Sequence, residues 1–81
     1  MNIGIIGLGL IGGSFALTAR KFIKGSILYG EDHNKLHQNQ ALELKIVDQT
    51  LKPSKYHKMD VIILAIPVDV ALDKASYLLD Q

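Results

Sequence analysis

An apolar run near the start of the chain, divided by glycines, constrains the fold more than any other feature of the sequence. Between Ile3 and Ala19 its 17 residues include five glycines and no charged side chain. Because a membrane-spanning helix needs about 17 to 25 apolar residues and glycine weakens helices, we do not expect a span here. A secretory leader would carry basic residues before its apolar stretch, whereas Arg20 and Lys21 follow it. The glycines therefore need another explanation.

Composition excludes several classes of protein. At 81 residues, 48% apolar and 21% charged, the chain suits one small globular domain with a thin core. Its net charge of +1 leaves no basic face for nucleic acid. Without cysteine it has no disulfide and no Cys-based zinc site, which fits a cytoplasmic protein. His33 and His37 have the spacing of helical metal ligands, but no nearby pattern supplies the other ligands, so we predict surface histidines and no metal site.

Hydrophobic periodicity predicts that strands and helices alternate along the chain. The predicted strands cover residues 3–6, 27–30, 46–47 and 61–66. The predicted helices cover residues 10–24, a segment that Asn34 caps and that includes Leu44, and residues 68–79. The face predicted to be buried comprises Ile11, Phe15, Ala19 and Phe22 in the first helix, and Leu36, Gln40, Ala41 and Leu44 in the second. Residues 51–58 form a connector broken at Pro53, and Pro67 stops the last strand.

This order of elements predicts an α/β fold. Apolar strands that alternate with helices form an open parallel sheet covered by helices on both faces and joined by right-handed crossovers. We predict about four strands in the order 3-2-1-4, which is half of a doubly wound sheet. Ligands of such sheets bind outside the carboxyl ends of the strands. The informative residues should therefore follow the strands, at Gly7 onward, at Glu31 and Asp32, and at residues 65–68.

A glycine motif follows the first strand. Gly7, Gly9 and Gly12 match G-x-G-x-x-G within the string GLGLIGGS. Gly7 would make a tight turn, Gly9 would let a pyrophosphate approach the backbone, and Gly12 would bring the helix close to the strand. Amides near Leu10 and Ile11 lack intrahelical partners and carry the positive end of the helix dipole, so they can bind a diphosphate. The alternative, glycines that only permit packing, leaves Gly7 and Gly9 unexplained.

An acidic residue follows the second strand. Asp32 lies 20 residues after Gly12, where an acidic side chain binds the ribose hydroxyls of a dinucleotide. Its charge would repel a 2′-phosphate, so we predict NAD rather than NADP as the cofactor. Glu31 could share or take this role, and His33 and Lys35 are close enough to soften the repulsion. Alternatively, Asp32 only stabilises the first turn of the next helix.

The end of the last strand lies beside the predicted cofactor. Ala65 would leave room for a ribose, and Ile66 and Pro67 would line the pocket with backbone groups that the proline fixes. A simple turn from strand to helix, with proline near the first helical position, explains the same residues nearly as well.

Four segments, at residues 7–14, 29–34, 41–48 and 60–68, resemble in order and spacing the start of prephenate dehydrogenases. The string GLGLIGGS is the most specific of them. The later segments also resemble other Rossmann dehydrogenases, which act on 6-phosphogluconate or 3-hydroxyacids. Lys45 departs from the family, which usually has glycine there. A glycine would end the second helix in a left-handed conformation, so Lys45 implies either backbone strain or a different helix ending.

The resemblance implies the amino-terminal part of a Rossmann-type NAD-binding domain. The family oxidatively decarboxylates prephenate to 4-hydroxyphenylpyruvate in tyrosine biosynthesis, and arogenate is a related substrate. Its catalytic histidine, its basic substrate-binding residue and its helical dimerisation domain lie in later segments. We therefore assign no catalytic residue here, expect the 81-residue chain alone to be inactive, and expect a homodimer when the enzyme is complete. The alternatives are a non-catalytic module that binds NAD or another adenine nucleotide, and the start of another Rossmann dehydrogenase.

The strand order has a consequence for stability. With the order 3-2-1-4, residues 61–66 form an apolar edge that further strands would cover in a complete domain, and such an edge invites pairing. We expect the isolated chain to be marginally stable or to associate through this edge. Sedimentation and thermal melting test the expectation, and a monomer of high stability would contradict it.

Overall fold

A computed structural model describes residues 1–66 and 68–80 of the chain. Its strands are β1 (Asn2–Ile6), β2 (Ile27–Glu31), β3 (Gln49–Thr50) and β4 (Val61–Leu64). Its helices are α1 (Leu10–Phe22), α2 (Lys35–Glu43), a 3₁₀ helix (Pro53–Lys58) and α3 (Val68–Leu79). The last strand thus ends before residue 66, and the connector contains a 3₁₀ helix. Pro67, which the sequence places at the end of the strand and beside the cofactor, lies outside the described residues.

The strands form one parallel sheet with β1 at its centre. The observed order β3-β2-β1-β4 confirms the predicted order 3-2-1-4. Ile3 of β1 pairs with Leu28 of β2 on one side and with Val61 of β4 on the other. The carboxyl ends of the three longest strands therefore meet at one edge of the sheet, where a ligand of a doubly wound fold binds.

Two apolar layers cover the two faces of the sheet, as predicted. The layer beneath α1 and α2 comprises Ile3, Ile5, Leu8, Ala16, Ala19, Leu28, Ala41 and Val47. The layer beneath the 3₁₀ helix and α3 is built on Ile6, Leu51 and Tyr56, with Leu78 packed against them. Successive strand side chains point to opposite faces, which explains why Ile5 and Ile6 belong to different layers.

Helix α1 packs on the sheet through small residues. Gly12, Ala16 and Ala19 are buried there. A Cβ atom on Gly12 would overlap the carbonyl oxygen of Gly7, so the helix approaches the end of β1 closely. A side chain at position 12 therefore cannot fit between the helix and the end of the strand.

The predicted buried face of α1 is wrong for its aromatic residues. Phe15 is 48% exposed and Phe22 is 72% exposed, whereas Ala19 is buried as predicted. The close approach of the helix explains the difference, because the stripe of small residues occupies the contact and turns the phenylalanines outward. The side chain of Ile11 lies outside the described part of the structure. The helix also ends at Phe22, before the predicted residue 24.

Helix α2 begins where the sequence predicts and buries a narrower face than predicted. The Asn34 side chain accepts hydrogen bonds from the amides of Leu36 and His37, which confirms the predicted cap. Ala41 is buried, but Leu36, Gln40 and Leu44 are exposed, so the predicted stripe is wrong. The turn after the helix explains this, because it folds the chain back against Ala41 and leaves the rest of the stripe facing solvent.

The turn after α2 has the hydrogen bonds that usually accompany a glycine. The Ile46 amide donates to the Ala41 carbonyl at 2.9 Å, and the Lys45 amide donates to the Leu42 carbonyl at 3.1 Å. Lys45 has a φ of 59°, in the left-handed region. Of the two alternatives left open by the sequence, the structure has the strained lysine rather than a different helix ending.

The third strand lies later in the chain than predicted. Residues 46 and 47 are not a strand, because their amides both donate to the Ala41 carbonyl. Pairing with β2 begins only at Gln49, opposite Tyr29. Val47 is nevertheless fully buried, so its apolar side chain belongs to the core rather than to a strand.

Among residues 1–66 and 68–80, no helix combines the length and the apolar character that crossing a bilayer demands.

The strained lysine yields a prediction about stability. A left-handed non-glycine residue costs about 1–2 kcal/mol, and the greater entropy of unfolded glycine offsets about 0.4–1 kcal/mol of that. We therefore expect Lys45→Gly to raise the free energy of unfolding by about 0.5–1 kcal/mol, measured by urea denaturation. Lys52, also exposed but with a φ of −105°, is the matched control. Lys52→Gly should leave stability unchanged or lower, and equal gains from both variants would contradict the explanation.

Candidate functional site

The glycine turn is fixed against the ends of two neighbouring strands. Gly7 has a φ of 99°, which favours glycine, and a Cβ atom there would overlap the Ala65 carbonyl oxygen. Its amide donates to the Glu31 carbonyl at 2.7 Å. The tight turn predicted at Gly7 and the close packing predicted at Gly12 are therefore both present.

Gly9 differs from these two glycines because protein atoms do not crowd it. It is the N-cap of α1, and a Cβ atom on it would meet no heavy atom within 4 Å. The next residues, Leu10 and Ile11, begin the helix, and the first amides of an α-helix have no intrahelical carbonyl to bind. The first turn of α1 contains no acidic side chain. The mouth of the helix thus offers open space beside backbone donors, an arrangement that suits an anion.

Asp32 connects the glycine turn to the start of α2. Its side chain is only 6% exposed. One carboxylate oxygen accepts a hydrogen bond from the Leu8 amide at 2.7 Å, and the other accepts from the Asn34 amide at 2.8 Å. Each carboxylate oxygen has two lone-pair sites, so both retain the capacity to accept a further hydrogen bond.

Two histidines lie beside this carboxylate. The Nδ1 atoms of His33 and His37 are 3.7 Å and 3.5 Å from the Asp32 oxygens, and both histidine side chains are exposed. Burial alone would raise the pKa of Asp32, but hydrogen bonds from the Asn34 and Leu8 amides and the nearby His37 outweigh it and lower the pKa. Asp32 is therefore ionised at neutral pH.

A cavity of about 140 Å³ opens at the carboxyl ends of the strands. It brings together Gly7, Asp32 and Ile66, which are three of the predicted site residues and come from three separate segments. An open groove of about 380 Å³ is lined by Leu8 and Gly9. The two spaces adjoin the same glycine turn, since Gly7 lines the cavity and the next two residues, Leu8 and Gly9, line the groove.

Ala65 lies against the glycines. Its amide donates to the Ile6 carbonyl at 2.8 Å, and its Cβ atom would lie 3.4 Å from a Cβ on Gly12. Ala65 therefore packs close to Gly12, whatever its relation to a ligand.

Sequence reasoning missed two side chains of the site. The Glu31 carboxylate accepts a hydrogen bond from the Tyr56 hydroxyl and lies 3.3 Å from the Lys74 ammonium, and Lys74 also lines the cavity. Lys74 could have been identified as a charged residue among the apolar residues of the helix that follows the last strand. Tyr56 gave a weaker signal, as an aromatic residue within a polar connector.

A family model described as the nucleotide-binding domain of prephenate dehydrogenase matches residues 15–79. This chain belongs to that family. The match begins after the glycine string at residues 7–14, so the family assignment and the glycine motif are separate observations.

Similar proteins include enzymes of the same family. Over 70 residues the chain is 39% identical to a prephenate dehydrogenase of Lactococcus lactis subsp. cremoris (strain MG1363), a match that covers 85% of this chain and 20% of that enzyme. It resembles the crystal structure of prephenate dehydrogenase from A. aeolicus in complex with hydroxyphenyl propionate and NAD⁺, with a TM-score of 0.75, 33% identity, and coverage of 86% of this chain and 26% of that one. It also resembles Synechocystis arogenate dehydrogenase, with a TM-score of 0.84, 32% identity, and coverage of 96% and 28%.

These comparisons confirm the family and the Rossmann-type fold expected from the sequence. The chain spans between a fifth and somewhat more than a quarter of the length of these relatives.

The ionised Asp32 yields a prediction about acid stability. Its pKa in the folded state lies below the ordinary value of 3.8, so its contribution is present above about pH 4 and is lost as the pH falls through the folded-state pKa. We expect Asp32→Asn to lower the free energy of unfolding at pH 7 by about 1–3 kcal/mol, because the amides of Leu8 and Asn34 lose a charged acceptor.

Urea denaturation between pH 7 and pH 3 measures this effect. The difference from the unsubstituted chain should narrow below about pH 4. Asp80→Asn, at an exposed aspartate in the turn after α3, is the control and should change little at any pH. A pH-independent deficit for Asp32→Asn would contradict the charged interaction.

Proposed function

We propose that this chain binds NAD as the amino-terminal nucleotide-binding part of a prephenate dehydrogenase. The observation that carries the proposal is the open space in front of Gly9 at the mouth of α1, next to a turn that the ionised Asp32 braces. Membership of the family supports it independently.

The residues at the strand ends fit such a cofactor. The proposed contacts are Gly7, Gly9, Leu10, Ile11, Gly12, Asp32, Ala65, Ile66 and Pro67. Amides near Leu10 and Ile11 would bind the diphosphate, and the Asp32 carboxylate would accept hydrogen bonds from the ribose hydroxyls with its remaining lone pairs. Ile66 would contact the adenosine from the cavity that it lines with Asp32.

Charge favours NAD over NADP. Asp32 is ionised, and its negative charge beside the ribose would repel a 2′-phosphate. The A. aeolicus relative was crystallised with NAD⁺, which supports the same choice. When bound, NAD accepts a hydride from the substrate. The chain's own contribution is to bind and orient the adenosine and diphosphate end.

We also propose the reaction of the complete enzyme from its relatives. Two of them are prephenate dehydrogenases and one is an arogenate dehydrogenase. The reaction is then oxidative decarboxylation of prephenate to 4-hydroxyphenylpyruvate in the cytoplasm, with arogenate as the alternative substrate. The complete enzyme would be a homodimer whose catalytic groups lie outside this chain. The 81-residue chain alone should bind cofactor without turnover.

The test uses a substitution that fills the open space but preserves the helix. Serine is a better N-cap than glycine, and its hydroxyl would accept hydrogen bonds from the amides that the diphosphate needs. We expect Gly9→Ser to keep or slightly raise the melting temperature and to weaken NAD binding at least about tenfold, measured by calorimetric titration. Gly13→Ala is the control, because a Cβ atom there also meets no heavy atom within 4 Å while the Gly13 amide already donates to Gly9.

The unsubstituted chain should bind NAD more tightly than NADP, and Asp32→Ser should reduce this preference. Absence of saturable NAD binding, or equal affinity for the two cofactors, would contradict the proposal. Equal NAD affinity in Gly9→Ser and the unsubstituted chain would place the diphosphate elsewhere.

A further inference from the structure

Glu31 is adjacent to Asp32 in sequence but binds different partners. The Tyr56 hydroxyl donates a hydrogen bond to one of its carboxylate oxygens, and the Lys74 ammonium lies 3.3 Å from the other. These partners come from the 3₁₀ helix and from α3, so the end of β2 is tied to both elements. Tyr56 is buried, which makes this hydrogen bond a fixed part of the structure.

Lys74 is held in place by more than its ion pair. Its ammonium lies 5.4 Å from the centre of the Tyr56 ring and 5.7 Å from that of the Tyr77 ring. The two rings pack edge to face, with 6.1 Å between their centres. The ammonium is thus confined beside Glu31, at the wall of the cavity that Asp32 also lines.

Lys74 and Tyr56 both keep their protons at neutral pH. The hydrogen bond with Tyr56 and, against the opposing effect of burial, the Glu31 carboxylate raise the pKa of Lys74. Burial and the hydrogen bond to Glu31 raise the pKa of Tyr56. Lys74 is therefore a cation whose charge Glu31 balances, and the charge left unbalanced by this pair at the cavity wall is that of Asp32.

We propose that Glu31 is a specificity-determining residue that disfavours NADP by neutralising Lys74, the cation nearest to it at the cavity wall. The inference rests on the proposed function, because it places the adenosine ribose in this cavity. A 2′-phosphate entering there would meet the Asp32 carboxylate and a lysine already paired with Glu31. Glu31 also lines the cavity, but Tyr56 and Lys74 bind its two carboxylate oxygens, so it acts through Lys74 rather than as a ligand of the cofactor. It is therefore a positioning residue, unlike Asp32.

This role differs measurably from that of a second ribose ligand. A ribose ligand contributes to NAD binding, so its loss would weaken NAD. A residue that only balances Lys74 leaves NAD affinity nearly unchanged when it loses its charge, and the released cation then attracts a 2′-phosphate.

The experiment measures NAD and NADP affinities of the 81-residue chain by calorimetric titration. Glu31→Gln keeps the shape of the side chain and an acceptor for Tyr56 but removes the charge. We expect it to raise NADP affinity roughly three- to tenfold and to leave NAD affinity within about twofold, the scale of one partly exposed charge pair. The gain should shrink as salt is raised and should be absent in the double variant Glu31→Gln/Lys74→Gln.

Lys74→Gln alone provides a second test, in which NADP affinity should fall rather than rise. It leaves Glu31 unbalanced at the cavity wall, so NADP should bind more weakly than to the unsubstituted chain. Glu43→Gln, at an exposed glutamate at the end of α2, is the matched control and should change neither affinity. All titrations are made at one pH, so that His33 and His37 carry the same charge throughout.

The outcomes separate the inference from the function on which it rests. If the unsubstituted chain does not bind NAD, the proposed function fails. If it binds NAD but Glu31→Gln leaves the ratio of NADP to NAD affinity unchanged, the role of Glu31 fails alone. A loss of NAD affinity in Glu31→Gln without a gain for NADP would identify Glu31 as a ribose ligand and would also overturn the inference.

Discussion

The close contact between the start of α1 and the end of β1 determines the rest of the site. Gly12 lies so near the Gly7 carbonyl that a Cβ atom cannot fit between them. The first amides of the helix are therefore fixed directly above the strand ends rather than displaced by a side-chain layer. The same contact holds the Leu8 amide within 2.7 Å of Asp32. The close approach of α1 to β1 thus produces both the open mouth of the helix at Gly9 and the buried Asp32 carboxylate beside it.

Adjacent carboxylates serve opposite parts of the structure because strand residues alternate in direction. Glu31, the last residue of β2, reaches the 3₁₀ helix and α3 through Tyr56 and Lys74. Asp32, the next residue, reaches the glycine turn and α2 through Leu8 and Asn34. One charge is balanced by an ammonium, and the other is stabilised mainly by amides. The strand end therefore organises both sides of the cavity while leaving it a net negative character, which would disfavour a phosphorylated ribose at the proposed site.

Sequence reasoning succeeded where a feature is local or sterically forced. The Asn34 cap needs only the next amides, the Gly7 turn needs a positive φ, and the parallel strand order follows from chain alternation. Sequence reasoning failed where contacts with other parts of the fold determine whether a residue is buried or belongs to a strand. The phenylalanines of α1 face outward because the contact admits only small residues, and Val47 is core rather than strand because the turn at Lys45 takes its amide. The pairing of Glu31 with Lys74 joins residues far apart in sequence, so periodicity could not predict it.

The small apolar core leaves hydrogen bonds to carboxylates an important part in holding the strand ends together. Among the described side chains, the largest that are fully buried are Ile5, Leu28, Leu51 and Val47, a small set. The buried residues that the structure describes in α1 are small, and the aromatic residues of that helix are exposed. Packing alone therefore holds the strand ends weakly, and hydrogen bonds to carboxylates, which are stronger than those between neutral groups, fix the glycine turn. The arrangement couples stability to the proposed function: the charge on Asp32, which we propose binds a ribose, also stabilises the glycine turn through the Leu8 amide.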